Sequence, residues 1–357
     1  MRLVPNDDER EFASMLRRLM SSGSDSPALR KTLAAAGVFG LTLPERDGGS
    51  GARLTDLGVF CVEAGRSLCP TIVHSTIHAG IIVHALGTTE QHAAILPGIV
   101  DGSSSAATAL WSSVDASNVS PPLRAERAGT GWRLHGRVDF VLDAEHADHV
   151  LVSGRDTVRD RTSVFVVPMR STGVRTESLT LMGRHDAAEV HFDGTAVDDR
   201  LVLGSEHGVT DDQLHTIANT AIALLSLDLV GVGEAALQRT VDHTVMREQF
   251  GRPIASFQAA QHLVADMHIA LAAARVAAWA AVSQLEEGGP ATRQTAVARM
   301  QAAHAAKLVT LDAHQLHGGM GYVVDTDLHR YSERARVLST LGGGADIAAA
   351  WLEKAET

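Results

Sequence analysis

Apolar residues along the chain follow three rhythms. From Asp7 to about Gly102 they recur at helical spacing, as in LRKTLAAAGVFGL, IIVHALG and HAAILPGIV, and the turn-rich PERDGGSG of Pro44–Gly51 interrupts them. The period then falls to two. In WRLHGRVDFVL, Trp132, Leu134, Val138, Phe140 and Leu142 alternate with more polar positions, the pattern of a half-buried strand. HVLVSG, SVFVVP and AEVHFDG repeat it between Gly, Asp and Pro, which predicts a small barrel or sandwich of short strands. From about Asp211 the helical period returns. No Gly or Pro lies between Pro253 and Gly288, which predicts one helix over most of that span. TRQTAVARMQAAHAAKLVTLDAHQLHGG predicts a second helix that stops at Gly318. Long alanine-rich helices joined by short Gly/Pro turns predict an antiparallel bundle. The expected layout is helical over 1–104, a β-barrel over 105–208 and a helical bundle over 209–357: an α+β chain, mainly α.

Composition narrows the function classes. The 357 residues are 45% hydrophobic and 20% charged, as in a soluble globular protein. A net charge of −11 argues against nonspecific nucleic-acid binding. Lys31, Lys307 and Lys354 are the only lysines, so arginine, whose fork suits planar anions, supplies nearly all the positive charge. MRLVPNDDEREF has no apolar core of signal-peptide length, and no uninterrupted 18-residue apolar run follows. A cytoplasmic protein without a membrane partner is expected, with Cys61 and Cys69 as reduced thiols.

The layout, together with several motifs, resembles the acyl-CoA dehydrogenase family over essentially the whole chain. The most specific segments are REQFGRPIASFQAAQHLVADM (Arg247–Met267) and QLHGGMGYVVDTDLHRYSERA (Gln315–Ala335). LTLPERDGGSG (Leu41–Gly51), VEAGR (Val62–Arg66) and AEVHFDGTAV (Ala188–Val197) add weaker support. The resemblance implies an FAD enzyme that oxidises the Cα–Cβ bond of an acyl-CoA thioester. A carboxylate would take the α-proton and the flavin the β-hydride, with the electrons passed on to an acceptor protein. It also implies that Arg247, Gln249, Phe250 and Gln258 contact FAD held mainly by a neighbouring subunit. A guanidinium there suits a pyrophosphate, which it can hold in two parallel hydrogen bonds. Gln315, Gly318 and Gly319 resemble the family's second cross-subunit element, where bare backbone approaches the adenosine half of the cofactor.

The elements that would serve the chain's own flavin differ from the family's. In place of a T-E-P-x-x-G-S-D-like loop stands WSSVDASN, in which Ser117 matches the family serine and bulky Trp111 replaces a small hydroxyl residue. In place of an aromatic–Ile–Thr/Ser run stands Phe140–Leu142: Phe140 can stack on a ring, whereas Leu142 has no hydroxyl to offer. Aligning ERARVLSTLGGGADI on the family's Tyr-Glu-Gly-Thr-like segment puts the catalytic glutamate at Gly342. The other base position used within the family falls near Ala221. Neither residue titrates, and a missing general base typically costs about 10²–10⁴-fold in rate.

Three replacements are considered. Asp346 lies about one helical turn beyond Gly342, Glu234 reads as a solvated helix position, and His314 and His317 stand at i, i+3 without a matching ligand pattern, so no metal is expected. The retained cross-subunit elements and the degraded own pocket imply a subunit without its own base in an α2β2 assembly. The partner would be a second chain of the same family, and the substrate a bulky, steroid-derived acyl-CoA. A self-sufficient homotetramer with a relocated base and a scaffold that touches no cofactor remain the other two readings of the sequence.

Overall fold

A computed structural model describes residues 6–20, 27–183, 185–204 and 207–355. Five helices come first: α1 (Asp7–Met20), α2 (Pro27–Ala35), α3 (Leu54–Arg66), α4 (Thr71–Leu86) and α5 (Thr89–Val100). Eight strands follow: β1 (Ala106–Ala109), β2 (Leu123–Ala128), β3 (Gly131–Leu142), β4 (His149–Asp156), β5 (Arg161–Pro168), β6 (Val174–Thr180), β7 (Asp186–Asp198) and β8 (Val202–Leu203). The last zone holds α6 (Asp211–Met246), a small hairpin of β9 (Glu248–Gln249) and β10 (Arg252–Pro253), then α7 (Gln258–Glu287), α8 (Thr292–His317), α9 (Leu328–Thr340) and α10 (Ala345–Ala355). The absence of Gly and Pro explains the length of α7, and Gly318 caps α8 as expected.

The sheet runs β6-β7-β3-β2-β4-β5-β8, with β1 beside β2 on the edge of β4. Its hydrogen-bonded path is open between β6 and β8, and it curls over a core of Leu134, Val150, Phe165, Val190 and Phe192. Simple alternation fails where β3 meets β7, whose register shifts twice, first between Leu134 and His135. The register shifts again between Val138 and Val141, so Val138 and Val141 both face the sheet's core. That bulge turns Phe140 and Leu142 onto the helical bundle instead.

Helix α6 is the hub. It begins with a capping box in which Thr210 and Gln213 satisfy each other's backbone N–H groups. Being apolar all round, it packs on three sides: Leu229 with the bundle, Leu227 with the first helices, and Leu214 with the sheet's outer layer. Its crossing with α3 is backbone on backbone, because a Cβ on Gly65 or Gly231 would lie 2.0 Å from a carbonyl oxygen of the other helix. By length and hydropathy α6 and α7 would both suffice to cross a membrane, although neither holds an uninterrupted 18-residue apolar run. The apolar window of α6 is 89% buried within the protein, whereas that of α7 is only 22% buried.

Candidate active site and cofactor interface

The glycine run Gly342–Gly344 forms the turn between α9 and α10, and it is pinned to the WSSVDASN loop. Gly342 N–H donates to the Ser113 carbonyl at 2.6 Å, and Ala116 N–H donates to the Gly342 carbonyl at 2.8 Å. Arg299 of α8, fully buried, holds the same turn by donating to the carbonyls of Gly343 (2.9 Å), Leu338 (2.7 Å) and Leu341. Gly342 has φ of +73°, and a Cβ there would stand 2.7 Å from Ile222 Cδ1. The space into which a base would project is therefore filled from α6.

Trp111, Phe140, Leu142, Ala221 and Leu341 converge on one cavity of about 70 Å³, so the altered flavin positions meet one of the two base positions, Ala221, there, with Gly342 adjoining through its neighbour Leu341. At roughly 10–15 Å³ per water it takes about five waters, which is too little for a three-ring flavin. Trp111 is braced edge-on against His78, with ring centroids 5.5 Å apart. Ser117 is the exception among the expected pocket residues. Its hydroxyl donates to Asp115 at 2.7 Å, and it lines a separate hollow beside Trp351.

Besides Thr108 and Ser113, the polar residues on this cavity, Thr71, His74, Ser75 and His78, come from α4, and the sequence reading missed them. His78 is buried with Nε2 3.1 Å from the Ile217 carbonyl, and burial pushes its pKa down to about 4. His74 Nε2 lies 2.9 Å from Asp228 Oδ2, and Cys61 Sγ lies 3.9 Å from His74 Nδ1. Thiol, imidazole and carboxylate thus stand in line, but Cys61 does not reach the cavity and burial raises its thiol well above the usual range. Asp228 is fully buried. Although desolvation works the other way, the Arg334 guanidinium holds its carboxyl well below the ordinary range. One signal was available: a single Asp in the apolar stretch ALLSLDLVGVG demands a buried cation.

Thr71 lines this cavity and also a larger one of about 380 Å³, where Asp143 is buried with Oδ2 unpartnered. Burial raises Asp143 to about 7, against a hydrogen bond from the Thr71 hydroxyl at 2.9 Å. A raised folded pKa means extra proton binding by the native state between the unfolded value near 3.9 and about 7, so this group's stabilisation fades as pH rises through that window. Asp143→Asn keeps the neutral form. Urea denaturation at pH 5 and pH 8 should show the variant gaining on the parent by on the order of 1–4 kcal/mol across the interval. Parallel profiles would refute the assignment.

The candidates considered from the sequence do not line the small cavity. Asp346 is exposed in the first turn of α10, where it complements the helix dipole. Glu234 is not a solvated position: its carboxylate is 14% exposed and bridges Arg66 and Arg275. His314 bonds Ser332 at 2.6 Å and stacks on Tyr322, while His317 bonds the Ala313 carbonyl.

The expected cross-subunit elements form a second, open region. Arg247, Gln249, Phe250, Gln258, Gln315, Gly318 and Gly319 are all exposed. Two of these segments are brought together by His243, four residues before Arg247, which stacks on His317 with centroids 4.2 Å apart. The β9–β10 hairpin fixes the loop between α6 and α7, and Ile254 N–H closes onto the Arg247 carbonyl at 2.9 Å. A Cβ at Gly318 or Gly319 would meet nothing within 4 Å, so the backbone there is open to a ligand. A forked cation beside open backbone fits a dinucleotide's pyrophosphate and sugar, whereas the interior cavity does not fit the flavin ring.

Comparison with known proteins agrees with this architecture. The family profile described as Acyl-CoA dehydrogenase, N-terminal domain, matches residues 8–103, and the C-terminal domain of the same family matches 215–355. The chain is 29% identical over 315 residues to acyl-CoA dehydrogenase FadE28 of Mycobacterium tuberculosis, covering 88% of each. It superimposes with a TM-score of 0.86 and 30% identity on the Tcur3481-Tcur3483 steroid ACAD G363A variant, covering 98% of this chain and 99% of that one. A glutaryl-CoA dehydrogenase from Mycobacterium smegmatis in complex with FADH2, 20% identical with a TM-score of 0.88 and covering 100% and 96% of the two chains, shares the fold. Both ends of the chain and the scaffold of its site thus agree, and the protein belongs to the acyl-CoA dehydrogenase family, FAD-dependent oxidoreductases acting on CH–CH bonds.

Proposed function

We propose that this chain is the non-catalytic half of a heteromeric, FAD-dependent acyl-CoA dehydrogenase, paired with a second chain of the same fold that carries the base and the flavin pocket. The observation that carries this reading is an asymmetry. The interior site is plugged by Trp111 and Ile222 and has no carboxylate on its walls among the described residues, while the lip around Arg247 and Gly318–Gly319 stays open. FAD supplies the hydride acceptor when bound. The residues of this chain bind and orient it: Arg247 holds the pyrophosphate, the bare backbone of Gly318 and Gly319 admits the adenosine half, and the Gln315 amide offers hydrogen bonds. Around the lip, Phe250 (93% exposed), Met246 (77%) and Tyr322 (78%) form the apolar surface for the partner to cover, continued by Ile269 and Val276 of α7.

The steroid-type structural neighbour supports a bulky, polycyclic acyl-CoA as the substrate class. Such an enzyme passes its electrons to an acceptor protein. Flavin absorbance per chain tests the reading, measured on this chain alone and after co-expression with its dehydrogenase-like partner. The lone chain should carry no FAD and the complex about one per pair of chains, since one of two interface sites is complete. Stoichiometric FAD with turnover in the lone chain would instead establish a self-sufficient homo-oligomer.

A further inference from the structure

The PERDGGSG turn plays no part in the chemistry above, yet it delivers Asp47 to a second cluster. Asp47 closes a short 3-10 turn (Glu45–Asp47), and its carboxylate, only 8% exposed, lies between His84 in the last turn of α4 and His92 of α5. His84 Nδ1 is 2.9 Å and His92 Nδ1 3.5 Å from the same oxygen, Asp47 Oδ2. The two rings are 5.1 Å apart, and one ligand atom from each of the three residues lies within 4.8 Å of the others. Among the described residues the one further cation paired with Asp47 is Arg46, at 3.9 Å on a largely exposed side chain.

We propose that Asp47, His84 and His92 bind one divalent transition-metal ion of the zinc class. Metal–ligand bonds of about 2.0–2.2 Å around a tetrahedral centre place neighbouring ligand atoms about 3.3–3.5 Å apart. The His92–Asp47 separation of 3.5 Å matches that edge and is too long for a good hydrogen bond. The 2.9 Å His84–Asp47 pair needs to open by about half an ångström. Two imidazoles and one carboxylate favour zinc, cobalt or nickel over magnesium and calcium, which take all-oxygen shells. His84, a third exposed, leaves the fourth position to water. The ion would tie the PERDGGSG turn to α4 and α5. Because α4 carries His74 and His78 on the wall of the apolar cavity, its far end is thereby anchored.

The test uses the full-length chain, stripped with a chelator and titrated with Co(II), then Zn(II). One equivalent of Co(II) should bind with the visible d–d absorption of a low-coordinate site, Zn(II) should displace it, and Zn(II) should raise the melting temperature. Asp47→Asn and His92→Gln should each weaken binding by at least roughly 10–100-fold. His304→Gln, on the exposed face of α8, should change nothing. His92 Nε2 has no hydrogen-bond partner among the described residues and Nδ1 meets only Asp47, at 3.5 Å, so His92→Gln disturbs little beyond the site itself and keeps the result interpretable. No saturable equivalent, or affinity unchanged in both site variants, overturns the proposal.

Discussion

Arg334→Leu is expected to cost about 3–5 kcal/mol of folding stability, on the scale for breaking one side of a buried ion pair. Arg334 and Asp228 are 3% and 0% exposed, and the fork is fully engaged: Nε to Oδ1 at 2.9 Å and Nη2 to Oδ2 at 2.6 Å. Nη1 donates to the Cys69 carbonyl at 2.7 Å, so one guanidinium joins α9, α6 and the α3–α4 turn. Its loss leaves a buried carboxylate with His74 as its remaining charge partner, and a chain of ordinary stability of about 5–15 kcal/mol loses a large share of its margin. Arg334→Lys should recover only part, because an ammonium keeps the charge and not the fork. The double variant Arg334→Leu with Asp228→Leu should recover most of it, since an apolar pair often replaces a buried ion pair at little net cost.

The pH dependence has a fixed sign. Asp228 is held below its unfolded value, so the pair's contribution is present above about pH 3.9 and fades as pH falls through the folded value, where parent and variant converge. Urea midpoints at pH 7 decide the matter. A loss under about 1 kcal/mol for Arg334→Leu would mean that the pair is not a keystone of the bundle.

What the sequence revealed followed from local physics. Helices α7 and α8 were legible because their breakers stand at their ends, whereas Gly342 was singled out only through the family resemblance. What packs against Gly342 was not legible: Ile222 sits 120 residues earlier, on a helix whose buried faces give no hint of which neighbour each one meets. The β3 bulge defeated simple alternation, because one extra residue moves Phe140 and Leu142 from the sheet's core to the bundle without any change in composition. Glu234 reads as a surface residue locally, but Arg66 lies 168 residues away in sequence and Arg275 lies 41 away. Asp47, His84 and His92 meet only because the chain folds the PERDGGSG turn back onto α4 and α5.

Arg247→Ala in the assembled complex is expected to weaken FAD binding by about 10–150-fold, which corresponds to losing charge-assisted hydrogen bonds of about 1.5–3 kcal/mol. Arg247 is exposed just past the end of α6, and the hairpin and the His243–His317 stack hold its backbone in place without using its guanidinium. The substitution should therefore leave the fold of the chain within about 0.5 kcal/mol of the parent, as is usual for surface changes. Light scattering should show the complex intact, and flavin absorbance after gel filtration should show it depleted. Arg247→Lys should restore FAD partially, since a point charge attracts a pyrophosphate without the bidentate grip. The contrast with a pure scaffold is direct: a chain that touches no cofactor would keep its partner's FAD through both substitutions.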